Sequence, residues 1–284
     1  LAMILALAIV VLAAGQPAEG LTINRVRLTE GDSFSWVSGD VTSDGSLAGG
    51  GDFDDLFNAA ADVWEDAIQT DYTLTIEYGW GSVGPGGIAV TGAIGNGTPP
   101  RVFNAEIKVD YDSFTFFADP TPLEASEYST YDETSADLGA GQVNTGRYWT
   151  GGSGAAGNID LFTIFLHEMG HALGFLTTNS VFTTETDVDN DVDIEAPRPY
   201  AGSEIALYPG EAHLNYSDAL MQRVVTGGLR RLPSEADILA IAEIGEFDSV
   251  NLNPIPIPEP ASCGLLLIGL ALVFTRSRQT SRSN

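Results

Sequence analysis

The chain has 284 residues, 44% hydrophobic and 18% charged, enough apolar material for one sizeable domain once two terminal segments are set aside. Its 39 acidic against 12 basic residues leave a formal charge of -27, a field that disfavours nucleic acid and anionic membrane surfaces and favours cations and solubility. The single cysteine, Cys263, excludes an intrachain disulfide.

Leu1 to Ala14 (LAMILALAIVVLAA) is an apolar run too short to favour a permanent span, and Gly15-Gln16-Pro17 follows it. The pattern predicts a secretory signal over residues 1–15, truncated at its front, where the usual basic residues and initiator methionine are missing. Leu21 to Leu28 reads as a strand and Ser38 to Gly51 as a Gly/Ser/Asp-rich connection. Asp52 then opens a helix whose Phe53, Leu56, Phe57, Ala60, Trp64, Ala67 and Ile68 share one face, with Asp55 at the capping-box position. Its expected partners are two strands, Tyr72 to Tyr78 and Ala105 to Tyr111, each apolar at alternate positions. Between them Gly79 to Arg101, rich in glycine and carrying the adjacent Pro99 and Pro100, reads as a long loop. Residues 113 to 157 scatter Phe114, Phe116, Phe117, Tyr128, Tyr131, Tyr148 and Trp149 among turn residues, with core packing their expected use.

Asn158 to Leu166 is apolar almost all round, which predicts a buried helix capped by Asn158 or Asp160. It runs into His167-Glu168-Met169-Gly170-His171, and Gly174 is placed to end it. Helix positions four apart stack on one face, so His167 and His171 would aim two imidazoles at one point with Glu168 beside them. Neutral imidazole is a good zinc (Zn2+) ligand, and the carboxylate can take a proton from water on the metal. The chain holds three histidines, and two fall in this pattern, which weighs against a chance pair of core residues. A catalytic zinc site takes a third protein ligand. Thr177, six residues after His171, is a poor one; His213 is the obvious candidate, with a downstream glutamate such as Glu204 as the alternative.

Asp187, Asp189, Asp191 and Asp193 stand at alternate positions, a spacing that suits calcium (Ca2+), although Val192 occupies the place of the glycine an EF-hand needs. A solvated acidic loop is the other reading. Ser234 to Gly245 is a well-marked helix: Ser234 caps it, Asp237 lies three on, Ile238, Ile241 and Ala242 share a face, and Gly245 stops it. Residues 251–260 form a stiff proline-rich linker, and residues 261–284 an apolar segment with a basic end, Arg276, Arg278 and Arg282.

His167 to Phe175 (HEMGHALGF), an acidic insertion, the distant His213 and the Leu220-Met221 pair resemble the leishmanolysin-type branch of the metzincin zinc proteases, over about residues 158 to 247. The resemblance implies an α+β, zincin-like domain over residues 16–250: a twisted mixed sheet with packed helices in an upper lobe, an active-site helix, and a less regular lower lobe. It further implies zinc on His167, His171 and His213, Glu168 as general base, Met221 in a turn beneath the metal, and a peptide or protein substrate added along an edge strand. Pro258-Glu259-Pro260, the apolar segment and the arginines resemble a PEP-CTERM sorting signal. That resemblance implies exosortase-type processing and a place outside the cell, a plain membrane anchor being the other reading. No nucleic-acid partner is expected, and membrane contact only through the terminal segments. A non-enzymatic surface protein that binds calcium through its carboxylates is the alternative of a different class.

Overall fold

The computed structural model describes residues 20–96, 101–152, 155, 157–186 and 189–255. The expected signal over residues 1–15, the tail from residue 256 on with its Pro258-Glu259-Pro260 motif and Cys263, and Asp187 lie outside the described residues. In chain order come β1 (Leu21–Arg27), β2 (Ser46–Ala48), α1 (Phe53–Ala67), β3 (Tyr72–Gly81), β4 (Ala89–Asn96), β5 (Arg101–Asp110), β6 (Thr115–Phe117), β7 (Thr130–Asp137) and β8 (Gln142–Thr150). There follow β9 (Ile159–Asp160), α2 (Leu161–Ala172), α3 (Ser180–Glu185), β10 (Asp191–Asp193), β11 (Glu204–Ala206), β12 (Leu229–Leu232) and α4 (Glu235–Ile244). The class is α+β, with four helices and several sheets among the described residues.

Alternation builds the main sheet. Leu74, Ile76 and Tyr78 of β3 and Ala105, Ile107 and Val109 of β5 are buried, and their strands lie parallel beside β1 in the order β1-β3-β5-β4. Helix α1 starts on Asp52, whose side chain accepts from the N–H of Asp54 and Asp55, and it buries every residue of its expected apolar face. Phe57 stacks on Tyr78 with ring centroids 3.5 Å apart, and Phe165 of α2 meets Phe57 edge-on at 5.2 Å. Trp64 Nε1 donates to Leu166 O at 3.0 Å, so α1 is joined to α2 by a buried hydrogen bond as well as by apolar contact.

The expected loop from Gly79 to Arg101 is corrected: it contains β4, the antiparallel edge strand of this sheet. Its pairing runs from Ala89↔Val109 to Asn96↔Arg101 with a bulge between Ile94 and Gly95. The glycines that hide the strand in the sequence make room for a neighbour, because a Cβ on Gly92 would stand 2.8 Å from Val37 Cγ1. The segment carrying Val37 is held there by the buried Glu106 carboxylate, which accepts the N–H groups of Ser35, Trp36 and Val37 at 2.7, 2.7 and 3.1 Å.

Within the stretch read as turns, residues 130–137 and 142–150 form strands: β7 and β8 pair antiparallel and β12 adds to β8. Phe116, Phe117 and Tyr128 are core residues as expected, whereas Phe114, Tyr131, Tyr148 and Trp149 are half-buried. Strand β12 delivers Arg230 to the start of α2, where it meets two carboxylates that are fully buried. Its Nη2 and Nη1 donate at 2.8 Å to Asp160 Oδ1 and Asp119 Oδ2. Asp160 is the helix cap, and its Oδ2 also accepts Thr163 N–H at 2.9 Å. Tyr128 donates to its Oδ1 at 3.0 Å.

Among the described residues no helix is long and apolar enough to cross a membrane. Arg230→Met leaves Asp119 and Asp160 buried without their cation and is expected to lower unfolding stability by about 3–5 kcal/mol in urea titration. A loss under about 1 kcal/mol would show that the two carboxylates do not depend on it.

Candidate metal centre

All residues of α2 from Leu161 to Ala172 are buried, the two imidazoles and the carboxylate included. The four-residue spacing brings His167 Nε2 and His171 Nε2 to 3.2 Å. His167 Nδ1 donates to Leu220 O at 2.9 Å, and His171 Nδ1 to Phe175 O at 2.7 Å. A carbonyl oxygen only accepts, so both ring protons sit on Nδ1 and both Nε2 atoms present lone pairs. Two lone pairs facing each other at that distance repel, and a shared cation turns the repulsion into ligation. Two nitrogens bound to zinc at about 2.05 Å and a tetrahedral angle stand roughly 3.3 Å apart, which matches this pair. Gly174, at φ 113°, turns the chain so that the Phe175 carbonyl comes back to His171.

His213 joins them from the segment between β11 and β12. Its ring centroid is 5.4 Å from that of His167 and 5.1 Å from that of His171, and the three residues offer ligand atoms all within 4.8 Å of one another. Burial, reinforced by the neighbouring imidazole, holds His167 well below the ordinary imidazole range; burial brings His171 down to about 4 and lowers His213 as well. All three are therefore neutral near pH 7, the form that ligates a metal. Three imidazole donors suit zinc and other first-row ions alike.

Glu168 lines the same cleft of about 370 Å³, whose walls include Ile88 and Val90 from the β4 side, Ile164, Leu176 and Val225. The Thr91 hydroxyl of β4 donates to Glu168 Oε2 at 2.6 Å. Burial pushes the Glu168 carboxyl up to about 7 against that hydrogen bond. Thr91 lies on β4, which the glycines around it conceal in the sequence; the β-branched Ile88, Val90 and Thr91 are the local signal for a strand there.

Met221 is fully buried beneath α2, where a Cβ on Gly170 would lie 2.6 Å from its Sδ. Asp237 holds the backbone there: beyond its capping box with Ser234, it accepts the N–H of Leu220 at 3.1 Å and of Met221 at 2.8 Å. Sequence reasoning assigned Asp237 the cap alone.

Thr177 is exposed, and Glu204 lies exposed on β11 in register with Asp193 of β10, outside the histidine group. In the acidic tract, whose Asp187 lies outside the described residues, burial together with the nearby Asp189, Asp193 and Glu204 raises the Asp191 carboxyl to about 6. Asp191 and Asp193 share one side of a short strand and Asp189 is exposed, and among the described residues no three of these carboxylates converge. Comparison of the chain with family models, curated proteins and solved structures gives no match.

Zinc titration against a chromophoric chelator is expected to give one ion per chain. His167→Ala, His171→Ala and His213→Ala should each weaken binding by more than the 10–100-fold that loss of an outer hydrogen-bond partner costs, with Glu204→Ala unchanged. Full affinity in His213→Ala would remove it from the ligand set. Gly170→Ala, which sets a methyl against Met221, is expected to lower stability by about 1–3 kcal/mol in thermal unfolding; an unchanged midpoint would mean that Met221 moves aside freely.

Proposed function

We propose that the chain is an exported zinc-dependent metalloendopeptidase of metzincin-like architecture. The observation that carries this reading is the pair of facing imidazole lone pairs, with His213 as third donor and the Glu168 carboxylate one residue along the same buried helix. His167, His171 and His213 would hold a zinc ion, which when bound would supply Lewis acidity for activating water near neutral pH and for polarising the scissile carbonyl.

The chain's own residues do the rest. Glu168 accepts the proton of the attacking water and returns it to the leaving amine nitrogen. The Thr91 hydrogen bond to Oε2 orients the side chain, and Oε1 keeps both of its lone pairs for the proton. Strand β4 is the sheet edge beside the cleft, and an extended peptide adds to it as a further strand, the apolar cleft walls receiving its side chains. Peptides and proteins are the substrates this arrangement accepts. Export by the segment over residues 1–15, and sorting through the Pro258-Glu259-Pro260 tail by exosortase-type machinery, belong to the same proposal and rest on the sequence alone.

In a casein-cleavage assay on the zinc-loaded chain, Glu168→Gln is expected to keep its metal and lose at least 10²-fold in kcat, the usual scale of a general base. Cleavage at the wild-type rate by Glu168→Gln, or none by a wild type that holds zinc, would overturn the peptidase reading.

A further inference from the structure

His213 is the one histidine of the three whose Nδ1 is buried without a hydrogen-bond partner. The group closest to supplying one is Glu211, whose Oε2 stands 3.6 Å away, too far for a hydrogen bond as it is. Glu211 has a second partner. Its Oε1 accepts from Arg223 Nη1 at 3.1 Å, and the Arg223 guanidinium lies over the Tyr208 ring, 4.3 Å from its centroid.

Tyr208 closes the same turn from its other end. Its N–H donates to His213 O at 3.0 Å, its carbonyl accepts Glu211 N–H at 3.0 Å, and its hydroxyl accepts from Gln222 Nε2 at 3.3 Å. Gln222 and Arg223, the two residues after Met221, thus grip the two ends of the turn that carries His213. The pair between Arg223 and Glu211 is half exposed and adds little to stability. Its position against the third histidine gives it another use.

We propose that Glu211, held by Arg223, is a positioning residue for His213: a shift of about half an ångström lets its carboxylate accept the Nδ1–H, which leaves Nε2 as the ligand atom and fixes the ring toward His167 and His171. Backbone carbonyls do this for the other two histidines, and a carboxylate does it for the third, the more exposed of them. The inference rests on the reading of the three histidines as a metal centre.

The test measures Zn2+ affinity and release rate by chelator competition on the full chain, with the unfolding midpoint of the metal-free protein beside them. Glu211→Gln and Arg223→Met are each expected to weaken zinc binding 10–100-fold, chiefly through faster release, with the metal-free midpoint unchanged. The double variant should lose no more than the worse single one, because both act through one link. Zinc affinity within twofold of wild type in Glu211→Gln, or losses that add in the double variant, would overturn the role of Glu211 while leaving the metal centre standing. A wild type that binds no zinc would overturn both.

Discussion

Helix α2 is buried on every side, so the two imidazoles and one carboxylate it carries are desolvated with it. Much of the surrounding structure answers that constraint. A polar group taken out of water needs a partner inside, and each of these has one supplied by a different part of the chain. Leu220 and Phe175 give carbonyls to the Nδ1 atoms of His167 and His171, Thr91 gives a hydroxyl to Glu168, and Trp64 gives an N–H to Leu166 O. With Nδ1 occupied, both Nε2 lone pairs have only each other and the cleft to face. A cation shared between them would satisfy that second nitrogen on each ring.

The start of the helix meets the same constraint with charge. Asp160 caps α2 where the helix dipole favours an anion, but a fully buried carboxylate needs more than a cap. Arg230 brings the cation across from β12 and shares it with Asp119. At the other side of the helix, Asp237 performs two tasks with one carboxylate, closing the capping box of α4 and holding the backbone of Leu220 and Met221. The carbonyl of that same Leu220 orients His167, and the carbonyl of Met221 accepts Leu214 N–H beside His213. Two of the three histidines therefore refer to one short stretch, residues 220 to 223. Gln222 and Arg223, which follow Met221, belong to this stretch and contact Tyr208 and Glu211 in the turn before the third.

Local patterns made a large part of this legible from sequence. The apolar face of α1 reads off a helical period, and Asp52, Asp160 and Ser234 cap the helices that follow them because a cap acts within three residues. The all-round apolar run before His167 required burial, and the four-residue spacing of His167 and His171 required convergence. The glycine-rich stretch before β5 concealed β4 for a physical reason: glycine lowers strand propensity, and here it serves the close approach of Val37, a residue far away in the chain. Strand β12 was hidden similarly, since Leu229-Arg230-Arg231-Leu232 shows no face of its own until β8 and the two buried carboxylates supply one.

What the sequence by itself determined was thus the helix with its two histidines and adjacent carboxylate, the caps, the core strands β1, β3 and β5, and a strongly acidic composition. These follow from period, spacing and charge, which act over a few residues or over the whole chain. Only the tertiary structure decided that β4 is the edge beside the cleft, that Thr91 meets Glu168, that His213 and not Glu204 joins the pair, and that Asp237 reaches back to Leu220 and Met221. Each of those outcomes pairs groups from separate parts of the chain, and a buried donor or acceptor takes the partner that folding brings within about 3 Å, which no local pattern encodes.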